Sequence, residues 1–310
     1  MNISESDRVQ LMLHSLEGLS VGDAMGEQFF DWPAEASRRV DERLVPAGPW
    51  QYTDDTIMAV SIVELLREHG RINQDRLAAA FAQRYAEKPD RGYGPGAHRI
   101  LGAIAHGADW HIESHAAFDG AGSAGNGGAM RAGPLGAYFC NDIDRLISQA
   151  ALSAEVTHAH PDGQVGAIAV ALAAAWAVRR VLGNAGPGSE PYEESVFDFV
   201  RRHIPDGKVR SGITRAASLP AEANVRDAAA LLGSGVRTTA ADTVPFCLWI
   251  VNRHPDNFES AIWATLAGLG DRDTTCAIVG SIVALCDTTR GIPREWRERR
   301  EALPLQKPTA

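Results

Sequence analysis

Two distant segments open with paired acids and then turn apolar on every side. Thr53-Asp54-Asp55-Thr56 leads into Ile57, Met58, Val60, Ile62, Val63, Leu65 and Leu66. Asp271-Arg272-Asp273-Thr274-Thr275 leads into Ala277, Ile278, Val279, Ile282, Val283 and Leu285. A helix without a polar face has to lie inside a larger bundle. Both acid-rich helix starts are therefore expected to meet other protein rather than open water. An acid at a helix start commonly caps free N–H groups and complements the macrodipole. Two acids with two hydroxyls exceed what a cap needs, and hard oxygen donors of this kind suit Mg²⁺ or Mn²⁺. Capping and cation binding both stay open on pattern alone. If the two starts face each other, four carboxylates converge, and two divalent cations would make that charge density tolerable.

The rest of the chain reads as helices too. Almost no sustained period-2 alternation occurs, and about a dozen helical patterns follow one another. The expected fold is all-α, one domain over residues 1–310. Ser4 to Asp7 starts the first helix, which carries Gly22 and Gly26 four apart on one face, a spacing that suits close helix packing. Asp23 between them sits in an apolar context and requires a buried partner. Thr53 caps the first acid-led helix, which ends at Gly70, and Asn73 starts the next. Residues 31–46 and 106–120 read as loops, as does the Gly/Pro/Ser-rich stretch 183–191. His106, His111 and His115 fall in the second of these and fit no standard ligand spacing. Further helices are expected over 164–182, 192–203, 225–232, from Asp242, over 258–269 and at 294–300.

Gly120-Ala121-Gly122-Ser123-Ala124-Gly125-Asn126-Gly127-Gly128-Ala129-Met130-Arg131 is a glycine-rich loop that opens a helix. Its backbone amides suit phosphate oxygens. It is neither a Walker loop, lacking Lys-Ser/Thr, nor a dinucleotide fingerprint, since no strand precedes it.

Composition narrows the classes. The 310 residues carry a formal net charge of −9, which argues against a general nucleic-acid surface. Four cysteines in apolar contexts, none in a metal-spaced pair, read as reduced thiols of a cytoplasmic protein. The N-terminal stretch is polar, and the apolar run 165–178 is shorter than the roughly 20 residues of a membrane span.

Both acid clusters, Gly22-Asp23-Ala24-Met25-Gly26 and Gly125-Asn126-Gly127-Gly128-Ala129-Met130-Arg131 together resemble the ADP-ribosylglycohydrolase family from about Gly18 to Leu285. The resemblance implies an orthogonal all-α bundle with a binuclear Mg²⁺ or Mn²⁺ centre at helix N-termini. Thr53, Asp54, Asp55, Asp271, Asp273 and Thr274 would be its ligands, with Asp273 bridging. Gly122, Ser123, Gly125, Asn126, Gly127, Gly128 and Met130 would hold the diphosphate, and Phe118 and His158 would flank the nucleoside and ribose. Asp55 or Asp273 would orient or deprotonate a water at C1″. Many members carry a glutamate on a lid where this chain has Phe30, so Glu27 is the nearest acid available for that role. Ala124 replaces an aromatic found in some members, and Arg272 replaces a threonine. The implied activity is hydrolysis of the glycosidic bond between ADP-ribose and an acceptor, a protein side chain, arginine ahead of serine. Two rivals are a hydrolase of small ADP-ribosyl or nucleoside-diphosphate compounds, which needs a narrow pocket, and a non-catalytic crystallin-like member, which would have lost metal acids. The oligomeric state is not legible.

Overall fold

The computed structural model describes residues 3–30, 32–183, 192–287 and 290–305. The expected loop at 183–191 therefore lies, apart from Gly183, outside the described residues. Seventeen helices occur among the described residues. The first nine are α1 (Glu5–Glu27), α2 (Pro33–Asp41), α3 (Asp54–His69), α4 (Gln74–Glu87), α5 (Pro95–Ala105), α6 (Trp110–Ala116), α7 (Gly127–Met130), α8 (Gly133–Tyr138) and α9 (Ile143–Glu155). They are followed by α10 (Pro161–Gly183), α11 (Val196–His203), α12 (Lys208–Ala217), α13 (Val225–Leu232), α14 (Ala240–Arg253), α15 (Phe258–Leu266), α16 (Arg272–Cys286) and α17 (Arg294–Arg299). Among those residues β structure is confined to two isolated bridges, Trp50 with Arg300 and Gly125 with Thr239.

Local sequence explains several of the helix ends. Ser4, Asn73, Asp142, Ser195, Asn224 and Asn257 each accept a hydrogen bond from an amide in the first turn of the helix that follows. Gly70 closes α3 in the left-handed region, with φ 62°. Two helices, α2 and α6, fall where loops were expected, and α12 falls between the helices expected over 192–203 and 225–232, in a segment read as polar loop. They are short and mostly polar, so their patterns are weak. In α12 only Val209, Gly212, Ile213 and Ala216 are buried, one narrow stripe.

The centre of the molecule is the pair α1 and α16. They approach so closely that side chains are excluded from the seam. A Cβ on Gly18 would lie 2.3 Å from the Gly280 carbonyl oxygen, on Gly22 2.1 Å from that of Cys276, and on Gly26 2.3 Å from that of Arg272. The seam thus uses glycines at every fourth residue, one per helical turn. Ser15 adds a buried hydrogen bond to the Ser281 carbonyl, 2.8 Å. α10 lies beside this pair. At 23 residues it is long and apolar enough to cross a membrane, contrary to the shorter run expected, but 72% of its most apolar window is buried inside the protein. It is a core helix of the bundle. α3 packs against α1, which brings the first acid-led helix start beside the second.

Candidate active site

Asp23 fixes the meeting point. It is fully buried, and its carboxylate accepts hydrogen bonds from the Thr53 amide (3.0 Å), Thr53 Oγ1 (2.9 Å), the Thr56 amide (3.0 Å) and Thr56 Oγ1 (2.5 Å). These are the buried partners its position in the sequence demanded. One acid on α1 thereby caps α3 from outside, while Thr53 Oγ1 accepts from the Asp55 amide at 3.4 Å. The N-terminus of α3 cannot slide relative to α1.

The second start is tied to the first. Thr274 Oγ1 donates to both Asp55 carboxylate oxygens, at 3.2 and 3.3 Å. Asp271 is the N-cap residue of α16, yet its side chain makes no capping bond. It accepts instead from Asn126 Nδ2 at 2.7 Å, and Asn126 also donates to Thr243 Oγ1 at 3.1 Å. The Thr275 amide and hydroxyl bond the Asp271 carbonyl. Helix capping therefore does not account for the Asp271 carboxylate. Asp273 accepts from the Thr274 amide at 2.8 Å.

Burial and neighbouring carboxylates together raise the pKa values of Asp54, Asp55 and Asp273. Burial, then the charge of Asp23, pushes Asp54 up to about 8. Burial, then Asp273, drives Asp55 well up, and burial, then Asp271, does the same for Asp273. Asp23 is pushed up only to about 6, because the threonine hydrogen bonds offset much of its desolvation. Such a set is ionised together only when a cation compensates it. All the donors are carboxylate or hydroxyl oxygens, with no sulfur or imidazole, which fits Mg²⁺ or Mn²⁺ chemistry.

The acids form one side of a cleft of about 440 Å³. Asp54, Asp271, Asp273 and Thr274 line it, whereas Thr53 and Asp55 are buried behind. Phe118, Ser123, Gly125, Asn126, Gly127, Met130 and His158 line it as well. Gly122 and Gly128 do not line it. A Cβ on Gly122 would lie 2.5 Å from the His160 amide, and Gly128 packs on Ala154. Both shape the loop from behind. The amides of Gly122, Gly125 and Asn126 are used within the chain, by the Ala117 carbonyl, Ser123 Oγ and the Thr238 carbonyl. Instead of opening one helix, the loop leads into the two short helices α7 and α8.

His158 lies against this loop. Cβ atoms on Gly125 and Gly127 would lie 3.0 Å or less from its ring, so only glycine leaves it room. Burial, then the charge of Arg131, lowers its pKa to about 3, so the imidazole is neutral. Its Nδ1 is 2.7 Å from Thr157 Oγ1. Phe118, 63% exposed with φ 52°, stands at the cleft mouth. Glu27 is exposed at the end of α1, outside the lining; partial burial and the charge of Asp271 raise its carboxyl pKa. Phe30 is 50% exposed, with the Arg272 guanidinium 4.8 Å above its ring.

Several lining residues carried no role in the sequence reading. Arg131 is the foremost. It is fully buried, donates to the Ser153 carbonyl (3.1 Å) and Thr157 Oγ1 (2.9 Å), and stacks 4.6 Å over Phe81. Burial lowers its pKa to about 9, against the charge of Asp54. Its signal was the last position of the glycine motif. Tyr93, behind the lining, sits near Asp54, and burial, then the Asp54 charge, raises its phenol pKa. Arg237, Thr238 and Thr239 also line the cleft, and Arg237 pairs with the buried Asp242 at 2.7 Å. No pattern in the sequence marked that segment.

Residues 4–307 match the family model for ADP-ribosylglycohydrolase. The chain is 30% identical to the ADP-ribosylhydrolase ARH3 of Xenopus tropicalis, over 91% of this chain and 89% of that protein. It is 28% identical to the human ADP-ribosylhydrolase ARH3, over 80% of this chain and 74% of that protein. A solved structure described as an ADP-ribosylglycohydrolase-related protein complex shares the fold, with a TM-score of 0.66 at 24% identity, covering 96% of this chain and 94% of that one. Matched over almost its whole length, the chain belongs to the ADP-ribosylglycohydrolase family.

Proposed function

We propose that this protein hydrolyses the glycosidic bond between ADP-ribose and an acceptor, and that it uses two divalent cations, Mg²⁺ or Mn²⁺, to do so. The observation that carries this reading is the convergence of two acid-led helix starts on a cleft that a glycine loop also lines. Family membership and the similarity to proteins named ADP-ribosylhydrolase support it.

Thr53, Asp54, Asp55, Asp271, Asp273 and Thr274 would hold the cations. Bound there, the cations would supply Lewis acidity toward ribose hydroxyls and toward water. The chain's own groups do the rest. Of the two acids expected to act on water, Asp273 lines the cleft and would take its proton and turn it toward C1″, whereas Asp55, buried behind, would serve as a ligand. The carboxylates also stabilise positive charge as the glycosidic bond loosens. Asn126 holds Asp271 in place. Phosphate binding falls to the amides of Ser123, Ala124, Gly127 and Gly128, since those of Gly120, Ala121, Gly122, Gly125, Asn126, Ala129 and Met130 are bonded within the chain, with Arg131 as the nearest buried cation. His158 and Phe118 bracket the sugar and base. Four buried free cysteines support a reducing, cytoplasmic setting.

The test is ADP-ribose release from arginine- and serine-ADP-ribosylated proteins with Mg²⁺, Mn²⁺ or chelator, beside Asp273→Asn. Release that disappears with chelator and with the variant supports the reading and identifies the acceptor. Retention of full activity in chelator would overturn the metal assignment. Absence of release from either linkage would redirect the search to small ADP-ribosyl compounds.

A further inference from the structure

We propose a second metal site, distinct from the acid cluster, in which His111, His115 and Glu155 hold one late first-row divalent cation, Zn²⁺ foremost. Their ligand atoms all lie within 4.8 Å of one another. The segment expected to be a loop is the helix α6, and there His111 and His115 are four residues apart. That spacing stacks two imidazoles on one face, as their ring centroids 4.1 Å apart at 25° show. Glu155 comes from the last turn of α9, with Oε1 3.6 Å from His115 Nε2. His106 takes no part; its Nδ1 is bonded to the Gly102 carbonyl.

Two further contacts point the ligand atoms inward. His115 Nδ1 lies 2.9 Å from the His111 carbonyl oxygen. With the ring proton on Nδ1 it donates to that carbonyl, and the Nε2 lone pair is left facing Glu155. Gln74 Nε2 donates to Glu155 Oε2 at 2.8 Å and to the Leu152 carbonyl at 3.1 Å, so Oε1 is the carboxylate oxygen turned to the histidines. Backbone carbonyl behind histidine and amide behind carboxylate is the usual support of a built metal site. Two imidazole nitrogens and one carboxylate oxygen are a zinc donor set, with water completing the tetrahedron at about 2.0–2.2 Å per bond. Small rotations of His111, which is exposed, close the remaining distance.

The position gives the ion a purpose. α6 ends two residues before Phe118, and α9 ends three residues before His158. The ion clasps together the two segments that lead to two lining residues of the cleft, Phe118 and His158. With Zn²⁺ bound, the segment leading to Phe118 is held against α9.

The experiment uses the full chain in millimolar Mg²⁺, so that the acid cluster is filled, and titrates Zn²⁺ against a chromophoric chelator. One Zn²⁺ per chain is expected. His111→Ala with His115→Ala should abolish it, Gln74→Leu should weaken it about ten- to hundredfold, and Asp273→Asn should leave it unchanged. Cu²⁺ substitution should show nitrogen coupling in its electron paramagnetic resonance spectrum. Hydrogen exchange over residues 111–119 should slow with Zn²⁺. Zn²⁺ lost with Asp273→Asn but kept in the double histidine variant would overturn the site. No Zn²⁺ retained by a folded wild-type chain would do the same, and unchanged exchange with Zn²⁺ bound would overturn the clasp.

Discussion

Replacing Gly22 by alanine tests the α1–α16 seam and the site it supports together. The new Cβ would lie 2.1 Å from the Cys276 carbonyl oxygen, whereas ordinary contact begins near 3.4 Å. The obstacle is backbone, so the helices have to part by roughly 1 Å. Alanine raises helix propensity by about 1 kcal/mol over glycine. Overpacking against an unyielding neighbour costs about 3 kcal/mol. The net expectation is a loss of about 2 kcal/mol, read by urea denaturation. The same displacement moves Asp23, which caps α3, relative to Asp271 and Asp273 on α16, and a misplacement of about 1 Å can cost on the order of 10²-fold in rate. ADP-ribose release under saturating Mg²⁺ should fall accordingly. Gly102→Ala is the control. It lies inside α5, and its Cβ would meet only the Tyr85 ring, at 3.8 Å. The same chemical change there should stabilise by about 0.5–1 kcal/mol. Gly22→Ala with wild-type stability and rate would refute the account of the seam.

Other perturbations follow from the same geometry. In metal-free protein Asp54 holds its proton up to about pH 8, whereas the unfolded chain releases it near 3.8. The unfolded state therefore gains by deprotonation as pH rises, and metal-free stability should decline between pH 4 and 8, by several kcal/mol on the order of the linkage. Mg²⁺ should remove most of that slope, and denaturation in chelator at pH 5 and 8 checks both statements. Thr56→Val deletes a hydrogen bond to a buried carboxylate and should cost about 1.5–3 kcal/mol, read as a lowered urea midpoint. Asn126→Ala frees Asp271 from its amide partner; Mg²⁺ affinity measured by calorimetry should fall about tenfold or more, as loss of a supporting contact does.

The legible part of this protein was the part dictated by apolar periodicity and by helix-start chemistry. α3 and α16 announced themselves because neither has a polar side, and Thr53 and Gly70 mark the ends of α3 as their chemistry requires. Gly22 and Gly26 showed a packing face, although Gly18 and its partner Gly280 became visible only with α16 alongside. Asp23 declared a buried partner without naming it. What stayed hidden depended on contacts across the fold. Nothing local distinguishes Asp271 as a cap from Asp271 as the acceptor of Asn126, and nothing in residues 237–239 signals a cleft wall. α6 and α12 have too few buried positions to show a period, so the four-residue spacing of His111 and His115 carried no meaning while their segment read as a loop.

The seam between α1 and α16 also sets an order of events during synthesis. Ser15 and its partner Ser281 are 266 residues apart in sequence. At about 5–20 residues per second, the ribosome needs roughly 13–50 s to deliver the second after the first. Throughout that interval the glycine face of α1 has no mate, and Asp271 and Asp273 do not yet exist. The seam closes only when nearly the last helix emerges, and a product truncated before residue 271 would lack two of the five acids, Asp271 and Asp273, however well its first helices formed.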